Sequence, residues 1–141
     1  MSEALRDFRF NYAIQVRYSD MDMLGHANNA VYLTYLELAR LVYFQEVGTR
    51  SEGNRALVLA HASMDFKVPL TPEVKPRVHM RTVKMGNSSL TMDNIITDQA
   101  NERQFYTATL VLVAIDTQTG RPVAIPDAEK QKIINYEPAL A

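Results

Sequence analysis

The chain contains no cysteine. That excludes disulfides, thiolate nucleophiles and Cys-based metal sites together, and it suits a reducing compartment. An excess of one charge is missing too: 15 basic residues stand against 16 acidic ones, for a formal net charge of -1. No long-range field favours nucleic acid or an anionic membrane surface, so a polyanionic partner is not expected. Nowhere do the roughly 18 consecutive apolar residues of a membrane span occur. The start, MSEALRDFRF, lacks the apolar stretch of a signal peptide, and the simplest address is the cytoplasm. Repeats, low-complexity segments and linkers are absent, and 141 residues suit a single domain with a sizeable core.

What is present is concentrated between Val16 and Arg40, VRYSDMDMLGHANNAVYLTYLELAR. Two aspartates, a histidine, two asparagines and a glycine crowd the turn before a long apolar segment. Upstream, Phe10 to Tyr18 alternates, with Phe10, Tyr12, Ile14, Val16 and Tyr18 on the apolar side, which predicts a half-buried strand. Asn29 to Val47 lacks Gly and Pro and reads as a helix, with Asn28 or Asn29 as N-cap and Gly48 closing it. At about 100° per residue, Val31, Leu33, Tyr35, Leu36, Leu38, Leu41, Tyr43 and Phe44 cover most of its circumference, leaving Thr34, Glu37 and Arg40 as a thin polar stripe. Such a helix is expected to be covered on several sides, by strands curling around it.

Those strands follow. Leu57 to Val68 alternates, with Val58, Ala60, Ala62, Met64 and Phe66 on one face and His61, Ser63, Asp65 and Lys67 on the other. Prolines at 69, 72 and 76 mark a loop. Arg77 to Met85 and Ser89 to Asp98 flank Gly86-Asn87-Ser88, a hairpin turn by composition. Gln104 to Asp116 is apolar on both faces from Ala108 to Ile115, which predicts a central place in the sheet. Thr117 to Pro122 reads as a loop, and Asp127 as the cap of a short helix through Ile134. One long helix with five strands makes an α+β domain.

For the stretch DMDMLGHANN, Asp, Asn and Gly are also the ordinary residues of a turn before a helix. A calcium loop starting at Asp20 fails, since its fifth and twelfth positions fall on Leu24 and Val31, where oxygen ligands are needed. A zinc site from Asp20, Asp22 and His26 lacks a further ligand, so neither a metal nor a cofactor is expected. The chemical reading rests on the helix start. Its first N–H groups have no intrahelical partner, and the aligned peptide dipoles leave partial positive charge there. A carbonyl oxygen placed at that end is polarised, and a carboxylate from the turn, Asp22 or Asp20, can attack it or activate water against it, with His26 orienting the group or moving the proton. The nucleophile-elbow pattern Gly-x-Ser-x-Gly does not occur.

Tyr18-Ser19-Asp20-Met21-Asp22, then His26-x-Asn28-Asn29-x-x-Tyr32 and a long apolar helix, resembles the hot-dog fold acyl-CoA thioesterases of the 4-hydroxybenzoyl-CoA thioesterase type. Phe66-Lys67-Val68-Pro69-Leu70, Gly86-Asn87-Ser88-Ser89-Leu90 and the strand ending at Asp116 look like the same family, so the resemblance spans Phe10 to Pro126. It implies a long helix wrapped by an antiparallel sheet, in a homodimer or homotetramer with active sites between subunits. It implies that Asp22 is the catalytic carboxylate, as nucleophile or general base, and that the backbone N–H near Asn29 polarises the thioester carbonyl. His26 matches a histidine of one branch that includes acyl-carrier-protein thioesterases, but those carry Asn where this chain has Leu24.

The resemblance also makes Tyr18, Tyr32, Lys84, Asn87, Ser88 and Ser89 candidates for binding substrate, the last four beside the turn where the family often contacts coenzyme A. A solvated hairpin tip is the competing reading of those four. Tyr32, Leu36 and Tyr43 are candidates for an acyl lining, with core packing as the default; His61 and His79 read as surface or structural histidines. The activity implied is hydrolysis of an acyl-CoA thioester. Two alternatives stay open: a hot-dog dehydratase or hydratase using Asp22 and His26 as an acid/base pair, and a non-catalytic acyl-CoA binding or sensor domain. The acyl group is not legible.

Overall fold

A computed structural model describes residues 2–49 and 52–141. The main elements in chain order are β1 (Phe10–Ala13), α1 (Val31–Val47), β2 (Arg55–Phe66), β3 (Pro76–Met85), β4 (Ser89–Asp98), β5 (Gln104–Asp116) and α2 (Asp127–Tyr136). Short 3-10 turns occupy Glu3–Leu5, Tyr18–Asp20 and Pro138–Leu140. The strands form one antiparallel sheet in the order β1-β3-β4-β5-β2. Tyr32, Tyr35, Leu36, Ala39, Tyr43 and Val47 of α1 are buried in a single cluster with Val78, Met80, Leu90, Met92, Ile96, Leu110 and Leu112 of the sheet. Burying such side chains stabilises the fold by about 1.5–3 kcal/mol each. This is the expected arrangement of one long helix on a five-stranded antiparallel sheet.

The hairpin β3–β4 and strand β5 match the sequence expectation closely. Elsewhere the structure differs, for local reasons. The first strand is expected to run to Tyr18 but ends at Ala13; the Ile14 N–H still reaches the Pro76 carbonyl at 2.9 Å. Beyond it, Arg17 caps a 3-10 turn whose Asp20 side chain accepts from the Arg17 N–H, pulling the chain out of the sheet. Helix α1 begins at Val31 rather than Asn29, because Asn28 accepts at both its oxygens: Oδ1 from the Ala30 N–H at 3.0 Å and the carbonyl from the Val31 N–H at 2.9 Å. Its far end is Gly48, left-handed at φ 90°, where a side chain would be strained.

Four further expectations are corrected. Strand β2 carries a bulge between Leu59 and His61, which reverses the side-chain parity. Leu57 faces the core before it and Ala62 and Met64 after it, while Val58, Ala60 and Phe66 are exposed. Strand β5 is interior, between β4 and β2, but β4 is the middle strand. Helix α1 is covered on one side only: Thr34, Glu37, Leu38, Leu41 and Gln45 form an exposed stripe, with Leu41 at 61% exposure. Helix α2 follows Pro126 as N-cap, with Asp127 as its first residue, and continues past Ile134 to Tyr136.

Candidate active site

The segment from Asp20 to Asn28 folds back on itself just before α1. Met21 and Ala27 form an isolated antiparallel bridge, closed by the Asp22 N–H on the His26 carbonyl at 2.9 Å and the Gly25 N–H on the Asp22 carbonyl at 3.1 Å. Gly25 takes φ +77°, the conformation a tight turn of this kind asks of glycine. At the tip Met23 is fully exposed and Leu24 largely so. Leu70 fastens the returning strand from outside: its carbonyl accepts the Ala27 N–H at 2.7 Å. The loop marked by prolines thus holds the turn just ahead of the helix.

The two aspartates have opposite surroundings. Asp20 is 3% exposed; its Oδ2 accepts from the Tyr35 hydroxyl at 2.8 Å and the Arg17 N–H at 2.9 Å, and its Oδ1 from Arg17 Nη2 at 3.3 Å. Burial pushes this carboxyl up, but the hydrogen bonds from Arg17 and Tyr35 and the Arg17 charge outweigh it and hold Asp20 below its ordinary value. Burial and the neighbouring Asp20 raise Tyr35 in return. Asp22 is exposed. Its Oδ1 accepts the Leu24 N–H at 2.9 Å, and among the described residues Oδ2 has no partner.

A cleft of about 360 Å³ opens at this point, lined by Asp22, Leu24, His26, Ala27, Asn28, Asn29, Tyr32, Phe66, Val68 and Pro69. Among the described residues the Asn29 backbone N–H has no acceptor, although its neighbours Asn28, Ala30 and Val31 all donate. The wall behind Tyr32 is aromatic: its ring stacks on Tyr106 with centroids 4.7 Å apart and meets the Phe66 edge at 5.3 Å. Two other depressions, about 290 Å³ beside Phe8 and about 400 Å³ beside the C-terminal segment, lie away from the helix start. Among the described residues no group of three His, Asp or Glu is placed to hold a metal ion.

Of the residues expected at a site, Asp22, His26, Asn29 and Tyr32 come together here. Tyr18, 91% exposed on its 3-10 turn, does not line the cleft. Leu36 and Tyr43 are core residues, and Tyr43 bonds Thr82 and Glu137. Lys84, Asn87, Ser88 and Ser89 sit at the opposite end of the sheet: Phe66 pairs with Tyr106, whereas Ser89 pairs with Val113, seven residues along β5, roughly 23 Å away. At that turn a Cβ on Gly86 would meet Ser89 Oγ at 2.6 Å, a contact that rotation of the serine hydroxyl relieves. His61 is exposed on β2, and His79 is buried with its Nε2 3.0 Å from Thr97 Oγ1. Phe66, Val68 and Pro69 line the cleft although in the sequence they carry only the family resemblance. Nothing in the local pattern ties Arg17 and Tyr35 to Asp20; the one legible hint is an Arg three residues before an Asp.

The model of the thioesterase-like superfamily matches residues 16–133. A thioesterase from Thermus thermophilus, solved in complex with coenzyme A and Zn, is 36% identical, superposes with a TM-score of 0.82, and the match covers 94% of this chain and 98% of that one. The uncharacterized protein YsmA of Bacillus subtilis (strain 168) is 29% identical over 91% of this chain and 87% of its own length. The chloroplastic acyl-acyl carrier protein thioesterase ATL3 of Arabidopsis thaliana is 26% identical over 87% of this chain and 66% of its own length. With its single long helix on a five-stranded antiparallel sheet, the chain is a hot-dog fold thioester hydrolase and belongs to the thioesterase-like superfamily.

Proposed function

We propose that the chain hydrolyses acyl-CoA thioesters at the cleft beside Asp22. The observation that carries this reading is that Asp22, with an exposed carboxylate, and Asn29, whose N–H has no acceptor among the described residues, line one cleft at the start of α1. The thioester carbonyl oxygen lies at the Asn29 N–H, where the helix dipole adds partial positive charge. The Leu24 N–H holds Asp22 Oδ1, so Oδ2 is the oxygen that either attacks the carbonyl carbon or takes a proton from water as it attacks. The tetrahedral oxyanion collapses, the C–S bond breaks and the CoA thiolate leaves, taking a proton by way of His26 at the cleft edge; on the nucleophilic route a water then hydrolyses the Asp22 acyl anhydride, releasing the acid and restoring the carboxylate.

Strand β2 supports a dimer with shared sites. It is a sheet edge of 12 residues with Val58, Leu59 and Phe66 exposed, a template for pairing with a second copy. Antiparallel pairing of β2 with β2 across a two-fold axis inverts the partner, so the partner's Gly86–Ser89 turn points toward the same end as this chain's cleft. Lys84, Asn87, Ser88 and Ser89 then serve the site of the other subunit, where Lys84 suits the phosphates of CoA.

Thiol release from acyl-CoAs of varied chain length and from aromatic acyl-CoAs tests the reading. It requires turnover of at least one class with stoichiometric free CoA. Hydration of an enoyl-CoA without thiol release would replace it with a hydratase, and tight binding without any release would replace it with a sensor.

A further inference from the structure

Hydrolysis at Asp22 leaves Asp20 unused, although it is the most heavily engaged carboxylate near the cleft. Its side chain reaches helix α1 through the Tyr35 hydroxyl, at 2.8 Å, and the preceding turn through the Arg17 N–H, at 2.9 Å. Its carbonyl reaches the returning strand through the Asn28 N–H, also at 2.9 Å. One residue therefore joins the helix face to both arms of the turn. Asp22 lies two residues beyond it on one arm, and Asn29 one residue beyond Asn28 on the other.

We infer that Asp20 and Tyr35 form a buried strut of positioning residues that sets the separation between the Asp22 carboxylate and the Asn29 N–H. A turn alone does not call for this arrangement. An exposed Ser, Asn or Asp satisfies a turn, whereas a carboxylate withdrawn from water must be matched by donors of good geometry. Here both donors come from elements whose mutual placement defines the cleft. Tyr35 is itself fixed, buried in the core with its ring edge-on to Tyr32 at 6.4 Å, so the strut transmits the position of the helix to the turn. Neither residue lines the cleft, and neither touches substrate in this account.

The inference rests on the hydrolase reading but is tested separately. Tyr35→Phe keeps the packed ring and removes only the hydroxyl. It is expected to lower kcat roughly tenfold, the worth of one hydrogen bond to a charged group, with KM within about twofold. Asp20→Ala is expected to lose on the order of a hundredfold in kcat, the effect of an ångström-scale misplacement, and Asp20→Asn, which keeps an acceptor oxygen, to fall between. Wild-type kcat in Tyr35→Phe and Asp20→Asn, with only the melting temperature reduced, would overturn the strut. Because Tyr35→Phe removes a single oxygen, it remains informative where Asp20→Ala fails to fold. If the wild type releases no thiol from any acyl-CoA, the hydrolase reading fails first, and the strut is then judged by NMR without substrate. A displaced Asn29 amide resonance and Asp22 carboxylate resonance in Tyr35→Phe support it, and unmoved resonances refute it.

Discussion

At the scale of single residues, Asp20 and Asp22 are the same side chain two positions apart, separated in role by what surrounds them. The pair was legible in the sequence, as was the turn built by Gly25. Which aspartate points to solvent was not, because that depends on Tyr35, 15 residues away, and on a helix that must first pack. Acid unfolding reads the difference. Asp20 is held below its ordinary value of 3.8 in the folded chain, so the folded state binds fewer protons than the unfolded state. Its contribution is fully present above pH 3.8 and is lost as pH falls through the folded value. Urea unfolding from about pH 5 downward is expected to show a steeper acid loss in the wild type than in Asp20→Asn; parallel curves would contradict the assignment.

At the scale of elements, α1, β3, β4 and β5 were readable because each obeys a strong local rule: no Gly or Pro within the helix and Gly48 after it, a Gly-Asn-Ser turn between the two strands it joins, and a run apolar on both faces in β5. The shifted details came from residues acting outside the periodicity. Asn28 uses both its oxygens and delays the helix, and the bulge in β2 puts Val58 and Ala62 on opposite faces. The C-terminal attachment was illegible, since it is assembled from three distant elements. Glu137 Oε2 accepts from Tyr43 of α1 at 2.9 Å and from the Thr82 N–H of β3 at 2.8 Å, while Tyr136 bonds Glu46 and receives Arg9 over its ring at 4.2 Å.

This attachment has the opposite pH dependence to the Asp20 strut. Burial raises Glu137, and the hydrogen bonds from Thr82 and Tyr43 do not cancel that effect. The folded state therefore binds more protons than the unfolded one, so this contribution is full below the ordinary value of 4.5 and declines as pH rises through the raised one. Glu137→Gln is expected to flatten that decline in chemical unfolding followed from about pH 4 to 8. An unchanged slope would mean that the carboxylate is not buried in solution.

At the scale of the whole molecule, one chain leaves two surfaces open. The outer stripe of α1 exposes Leu38 and Leu41, and the free edge of β2 exposes Val58, Leu59 and Phe66. The sequence carried the apolar residues of both but not their exposure, because alternation and helical spacing do not distinguish a neighbour within the chain from one in another. If β2 pairs with itself, Leu59→Lys places like charges close together on the extended sheet. Sedimentation is expected to shift this variant from dimer toward monomer, with loss of thiol release as the partner's Gly86–Ser89 turn leaves the cleft. A monomeric wild type with full activity would remove the shared-site arrangement.

Steady-state hydrolysis by Asp22→Asn is the direct test of the proposal that Asp22, beside an Asn29 N–H without an acceptor among the described residues, performs the chemistry. Asn keeps the size of the side chain and an oxygen for the Leu24 N–H, so wild-type thermal unfolding is expected. On the best acyl-CoA substrate, kcat is expected to fall on the order of a hundredfold or more. Hydrolysis by Asp22→Asn at the wild-type rate would show that the Asp22 carboxylate does not perform the chemistry.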